Sequence, residues 1–384
     1  MSSALCHKVE ARFRLPVGST AAQSSHTMPL LPIHGHTALR ARFDDAIRRN
    51  ALPGSLLLHG PAGVGKQRLA LWIGQRLLCA GPEPRPCGTC QQCKFALAAT
   101  HPDIHWYFPR PRLKDSDASP SKIEDDLREA IIERTRTGAY APPPPEEGIY
   151  VTTIRAISRS ASMSPAIAQR KVYIIGDAER MVLRDDAEES AGAFLKLLEE
   201  PPERGNIILT TSEPGALIPT IRSRLVAVRV PRLSTEDTNT VLAEPAMQAA
   251  IAAAGGPKKL DEQLRIANGV PGALVAGAEW ADALERAAKM LDAAARRDKR
   301  EQARTAMLQG ARGARGAFST ALDALTTLLH ERVRKAVING DEARAARISR
   351  AMTAVEDAKL RAAGLTNPTL VTSELLRQLE RYVA

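Results

Sequence analysis

Two groups of residues have the types and spacing to do chemistry. The first is Gly60-Pro61-Ala62-Gly63-Val64-Gly65-Lys66, which matches the G-x-x-x-x-G-K pattern of a phosphate-binding loop. Its glycines let backbone N–H groups turn toward phosphate oxygens, and a helix starting there adds its positive end. Lys66 would reach the β- and γ-phosphates of ATP or ADP. The next position ordinarily carries a hydroxyl that binds magnesium, but here it is Gln67, whose longer neutral amide puts magnesium placement in doubt. The second group is Cys79, Cys87, Cys90 and Cys93, with two C-x-x-C steps sharing Cys90. Four thiolates this close suit a closed tetrahedral structural zinc site, and Pro86, Gly88 and Thr89 suit a tight knuckle. The rival use is a redox pair of Cys87 and Cys90, which would need only two of the four. Cys6 stands apart.

A phosphate loop works only between a strand and a helix. Both are expected here. Ser55 to His59 is a short apolar run, and a helical pattern begins at Leu69. Upstream, Leu39, Phe43 and Ile47 recur every fourth residue, the mark of an amphipathic helix that Pro53-Gly54 ends. Ile104–Phe108, Lys171–Ile175 and Asn206–Thr210 read as further strands. Phe194, Leu197 and Leu198 mark one face of a helix that stops at Pro201-Pro202. Strands alternating with helices predict an α/β domain with a largely parallel sheet. Residues 109–149, rich in charge and ending in Pro142 to Pro145, read as an insertion or long loop. After Pro231 strand-like runs vanish and Ala, Leu and Arg dominate. Leu375, Leu376, Leu379 and Val383 form the stripe of a last helix.

The 384 residues suggest two or three domains. With 44% apolar and 25% charged residues, a wholly disordered chain is excluded. The net charge of +10 suits a polyanionic partner, and 281–384 holds 19 basic against 13 acidic residues. Aromatics at 4% argue against base stacking as the main mode of nucleic-acid binding. Five cysteines are too few and too unevenly placed for a disulfide scaffold. No uncharged apolar run of about 18 residues exists, so no membrane span is expected. Residues 1–29 read as a polar tail, with a second possible start at Met28. They lack the apolar core of a secretory signal, so the cytoplasm is the expected compartment.

The phosphate loop followed by a four-cysteine knuckle resembles the AAA+ clamp-loader subunits of bacterial DNA polymerase III. Further segments agree in order. Ile154-Arg155 before a helix resembles the segment preceding the second acidic motif. Ala193 to Pro202, with its Leu-Glu-Glu-Pro-Pro end, resembles the family's signature helix and stop. Leu209-Thr210-Thr211 resembles the sensor-1 strand. Pro219 to Arg224 resembles the Ser-Arg motif that carries an arginine finger, and Gly269 to Leu274 sits where the lid carries sensor 2.

The resemblance implies an AAA+ P-loop core over 30–230, with the zinc module at 79–93 and the insertion at 109–149. It further implies a helical lid at 231–279 and an oligomerising helical collar at 280–384. It adds Asp177 and Thr211 to the residues facing nucleotide. Motor subunits of the family, gamma and tau, carry an Asp-Glu pair after the strand. Here that register gives Gly176-Asp177, or Asp177-Ala178 if shifted by one, so one carboxylate role is lost either way. The sensor-2 arginine falls at Gly272. The resemblance is therefore to the delta-prime branch, which often lacks hydrolysis. It implies a stator that donates Arg224 in trans to a neighbour's ATP. The implied partners are gamma/tau, delta, the sliding clamp and primer–template DNA. The alternative is a hydrolysing gamma/tau-type motor.

Overall fold

In the computed structural model the described residues are 30–112, 120–136, 143, 147–181, 188–309, 317–362 and 367–383. The expected tail at 1–29 lies outside them. The core opens with α1 (Thr37–Arg48), β1 (Ser55–His59) and α2 (Lys66–Leu78). It continues through α3 (Gln91–Leu97), β2 (Ile104–Tyr107), α4 (Pro120–Thr135), α5 (Val151–Ala161) and β3 (Lys171–Ile175). It closes with α6 (Glu188–Glu199), β4 (Gly205–Thr211), α7 (Pro219–Arg222) and β5 (Val226–Arg229).

The five strands are all parallel, in the order β2-β3-β4-β1-β5. Leu56, Leu57 and Leu58 are buried, as is every residue of β3 and β4. Central parallel strands covered on both faces need such unbroken apolar runs. Register aligns Ser55 with Ile207 and His59 with Thr211, so the phosphate loop leaves β1 beside the end of β4. This is the expected α/β core with a parallel sheet, followed among the described residues by helices alone.

Two expectations change. The 109–149 segment is not a plain loop, because α4 occupies its middle and an antiparallel bridge between Arg110 and Gly148 closes its base. Ile123, Leu127, Ala130 and Ile131 share one face of α4, and that stripe packs onto the core. Ile154 and Arg155 lie inside α5 rather than before a helix, because Ile154 and Ile157 are one turn apart and both buried.

Beyond β5, α8 (Thr235–Ala243), α9 (Pro245–Ala253) and α10 (Leu260–Ala267) close around Leu242, Met247, Ile251 and Leu274. A 3-10 turn, Pro271–Leu274, follows. Then α11 (Ala278–Arg296), α12 (Lys299–Gln309), α13 (Ala317–Ile338), α14 (Glu342–Ala362) and α15 (Pro368–Val383) form a bundle. Its core includes Leu291, Leu325, Val355, Leu375 and Leu379. No described helix is long and apolar enough to cross a membrane.

Candidate functional site

The phosphate loop is built by close backbone approach. A Cβ at Gly60 would lie 2.3 Å from the Val230 carbonyl oxygen, so β5 and the loop meet only through glycine. Gly63 and Gly65 take left-handed φ of 82° and 96°, and a Cβ at Gly65 would meet nothing within 4 Å. Pro61, Ala62 and Val64 complete the turn, with the Val64 N–H on the Pro61 carbonyl at 3.3 Å. Lys66 is buried. Its Nζ donates to the Gly60 carbonyl at 2.9 Å, the Pro61 carbonyl at 2.8 Å and Ser212 Oγ at 3.0 Å. Burial pulls its amine below the ordinary lysine range, and the Glu179 and Asp177 charges oppose that pull.

Gly272, at the expected sensor-2 position, rests directly on the loop. Its N–H donates to the Gly63 carbonyl at 3.0 Å. A Cβ at 272 would fall 2.6 Å from Gly63 Cα, so no arginine fits there.

The magnesium position is filled by side chains. Gln67 Nε2 donates to Asp177 Oδ2 at 3.0 Å, and Gln67 Oε1 accepts from Trp106 Nε1 at 3.0 Å. A Cβ at Gly176 would come within 2.5 Å of the Gln67 amide carbon. The Gln67 amide thus fills the space beside Gly176, and any side chain at 176 would require that amide to move. Arg134, from α4, brings its Nη2 to 3.9 Å from Asp177 Oδ2. Magnesium demands a near-octahedral set of oxygens. The amide oxygen already accepts from the indole, the amide N–H holds the carboxylate, and a guanidinium stands beside it. These residues do not fit a magnesium ion.

Asp177 adopts a left-handed φ of 51°, and its N–H faces Thr210 Oγ1 at 3.4 Å. Thr211 is fully buried, and its hydroxyl accepts from the Glu213 N–H at 3.0 Å. Ser212, one residue on, is the group that touches Lys66. Glu179 accepts from the Ser212 N–H at 3.1 Å through Oε1. Burial, reinforced by the Asp177 charge, raises its carboxyl above the ordinary range.

In the knuckle, the four sulfurs of Cys79, Cys87, Cys90 and Cys93 lie within 4.8 Å of one another, with Cys79 and Cys90 at 3.9 Å. Zinc with bonds of about 2.3 Å would space tetrahedral sulfurs by roughly 3.8 Å. Backbone N–H groups of Cys87, Cys90 and Cys93 point at the sulfurs of Cys79, Cys87 and Cys90 at 3.4, 3.4 and 3.5 Å. Such donors favour thiolate. The N–H groups of Cys90 and Thr89 bring the Cys87 thiol down to about 6, while burial pushes Cys93 up to about 12. Donor set and spacing fit zinc.

Arg224 stands on the turn between α7 and β5. Its Nη1 donates to the Thr220 carbonyl at 2.7 Å, and its guanidinium pairs with Glu199 at the end of α6. Both partners belong to the Ser-Arg turn and the signature helix, not to the phosphate loop. The helix stop is explained by packing: a Cβ at Gly54 would sit 2.6 Å from Pro201 Cγ, and Ser55 Oγ donates to the Leu198 carbonyl at 3.2 Å.

Sequence reading missed Trp106, Arg134, Glu179 and Ser212. Arg134 was findable, because it continues the Ile123-Leu127-Ala130-Ile131 face by helical spacing. The other three emerge only when β2, β3 and β4 end side by side.

The family described as "DNA polymerase III, delta subunit" matches residues 35–234. DNA polymerase III subunit delta' of Pseudomonas aeruginosa is 32% identical over 176 residues, covering 46% of this chain and 42% of that protein. The Bacillus subtilis subunit delta' is 26% identical over 180 residues, covering 47% and 43%. DNA polymerase III subunit gamma/tau of Mycobacterium tuberculosis H37Rv is 28% identical over 193 residues, covering 50% and 26%. The chain thus spans less than half the length of these relatives.

Proposed function

Since the chain belongs to the DNA polymerase III delta-subunit family, we propose that it acts as a delta'-type stator of a clamp loader and hydrolyses no ATP itself. In this reading it joins gamma/tau and delta subunits in a cytoplasmic ring that opens the sliding clamp and places it on primer–template DNA. The observation that carries the reading is the Gln67–Gly176–Asp177 arrangement, which leaves no set of oxygens for magnesium. Hydrolysis needs that metal to bridge the β- and γ-phosphates.

The chain's own residues then have three tasks. Gly60 to Lys66, with Thr211 and Ser212 at the adjacent strand end, hold the phosphates of ATP or ADP without cleaving them. Cys79, Cys87, Cys90 and Cys93 hold a structural zinc that fixes the turn between α2 and α3. Arg224 leaves Glu199 to reach the γ-phosphate bound by a neighbouring motor subunit, where an arginine stabilises transition-state charge. The excess of basic residues in 281–384 adds phosphate contacts to DNA, which weaken with salt.

The gamma/tau likeness favours a motor reading, and one reconstitution separates the two. The chain alone is expected to show no magnesium-dependent ATPase. Arg224→Ala is expected to leave assembly with gamma/tau and delta intact while lowering DNA-stimulated ATPase of the complex at least tenfold at the acceptor site. Turnover by the chain alone that disappears in Lys66→Ala would overturn the stator reading. Unchanged ATPase with Arg224→Ala would reject the finger.

A further inference from the structure

The misfit to magnesium has a positive side, because a cation of the protein's own stands beside Asp177. Arg134 lies on the core-facing stripe of α4, so the helix that folds the 109–149 segment also aims the guanidinium. It stacks over Phe108 at 4.2 Å and Trp106 at 5.3 Å. Trp106 holds the Gln67 oxygen, Gln67 holds Asp177, and Asp177 faces Arg134 at 3.9 Å. The circuit passes through Gln67, the second residue of α2, directly after Lys66. Beside it, Gly65 is left-handed with open space around it.

We propose that Arg134 is a resident cation in place of magnesium, and that the phosphate loop is a metal-independent site for the diphosphate or triphosphate of a nucleotide. The proposal deepens the non-hydrolysing reading and rests on it. Chemistry favours the exchange. A guanidinium is always charged and presents a planar fork of donors that matches phosphate oxygens. With Lys66 it supplies two fixed positive charges against Asp177 and Glu179. Unlike magnesium, it takes no phosphate oxygen into an inner coordination shell, so it neutralises charge without bridging the β- and γ-oxygens for transfer. The 109–149 segment then has a purpose, since its helix delivers the cation.

The test is calorimetric titration of ADP into the full chain, once with excess magnesium and once with EDTA. The expected result is the same affinity within about twofold in both buffers. Arg134→Gln should weaken binding at least tenfold in both, and Arg134→Lys, which keeps the charge but not the fork, should recover part of the loss. An affinity that rises tenfold or more with magnesium would overturn the proposal. So would Arg134→Gln binding like the parent, or the parent binding no ADP in either buffer. If Arg134→Gln does not fold, the two buffers applied to the parent and Arg134→Lys still decide. Failure of the non-hydrolysing reading itself would show separately, as ATP turnover.

Discussion

The contact between Gly272 and Gly63 can be broken with one methyl group. Gly272 has no left-handed φ, so alanine there carries no conformational penalty of its own. What it carries is a collision, with Cβ placed 2.6 Å from Gly63 Cα and 2.7 Å from the Gly63 oxygen. Both are backbone atoms that no rotamer can move. If the contact persists, overpacking costs about 1–3 kcal/mol. If the 3-10 turn lifts away, the N–H···O bond to Gly63 is lost, at about 0.5–1.5 kcal/mol. Burial of Val270 and Ala273 in the core is reduced with it, at about 0.8 kcal/mol per methylene equivalent. Either route gives roughly 1–3 kcal/mol. Gly272→Ala is therefore expected to lower the denaturation midpoint and to speed hydrogen exchange in 60–66 and 270–276 together. Gly255→Ala is the control, because it adds left-handed strain in the same helical cluster but meets nothing within 4 Å. Midpoint and exchange in Gly272→Ala equal to the parent would refute the docking of turn on loop.

Two further outcomes follow from the core. Chelation of the knuckle, or Cys93→Ser, should remove one equivalent of zinc and loosen 79–97, read as lost metal by mass spectrometry and faster exchange there; full metal content in the serine variant would contradict four-thiolate ligation. Asp103 is buried and accepts N–H bonds from Ala166, Ile167 and Ala168 at 2.6, 2.9 and 2.8 Å. Burial alone would raise its carboxyl, but these donors and His101 hold it below the ordinary range. The ionised form therefore stabilises the fold fully above the unfolded value near ~3.9 and loses that contribution as pH falls through the folded one. Asp103→Asn should cost about 2–4 kcal/mol at pH 7, from weaker bonds to three donors, and progressively less below pH 4. A difference that does not shrink in acid denaturation curves would contradict this account.

Elements with an unbroken pattern were legible in the sequence. Ser55–His59, Lys171–Ile175 and Asn206–Thr210 are apolar because parallel strands are covered on both faces, and all three stand within one residue of their expected bounds. The knuckle was legible because chelation imposes spacing. β5 was not, since it is a four-residue edge strand with Val226 half exposed and only β1 beside it. α4 was hidden by the charged and proline-rich residues around it, although its apolar stripe keeps helical spacing. The site divides the same way. Gly60 to Lys66 is local and visible, and the loss at Gln67 and Gly176 could be read from motif positions. That these two losses complement each other, and that Trp106 and Arg134 complete the replacement, depends on β2 and α4 meeting the loop in space.

The helix α2 joins the two chemically marked ends of the core. It starts with Lys66 and ends at Leu78, next to Cys79, a span of about 20 Å at 1.5 Å per residue. Eleven of its thirteen residues are buried, and Arg76 is bolted to Asp44 on α1 and to Glu83 within the knuckle. A rod gripped on nearly every side cannot roll or slide without dragging what it carries. A movement of the phosphate loop that carries α2 with it would then register as movement of a sulfur ligand at the far end. Cobalt seated in the knuckle, whose visible absorption follows its ligand geometry, would serve as a remote gauge of whether the loop is filled.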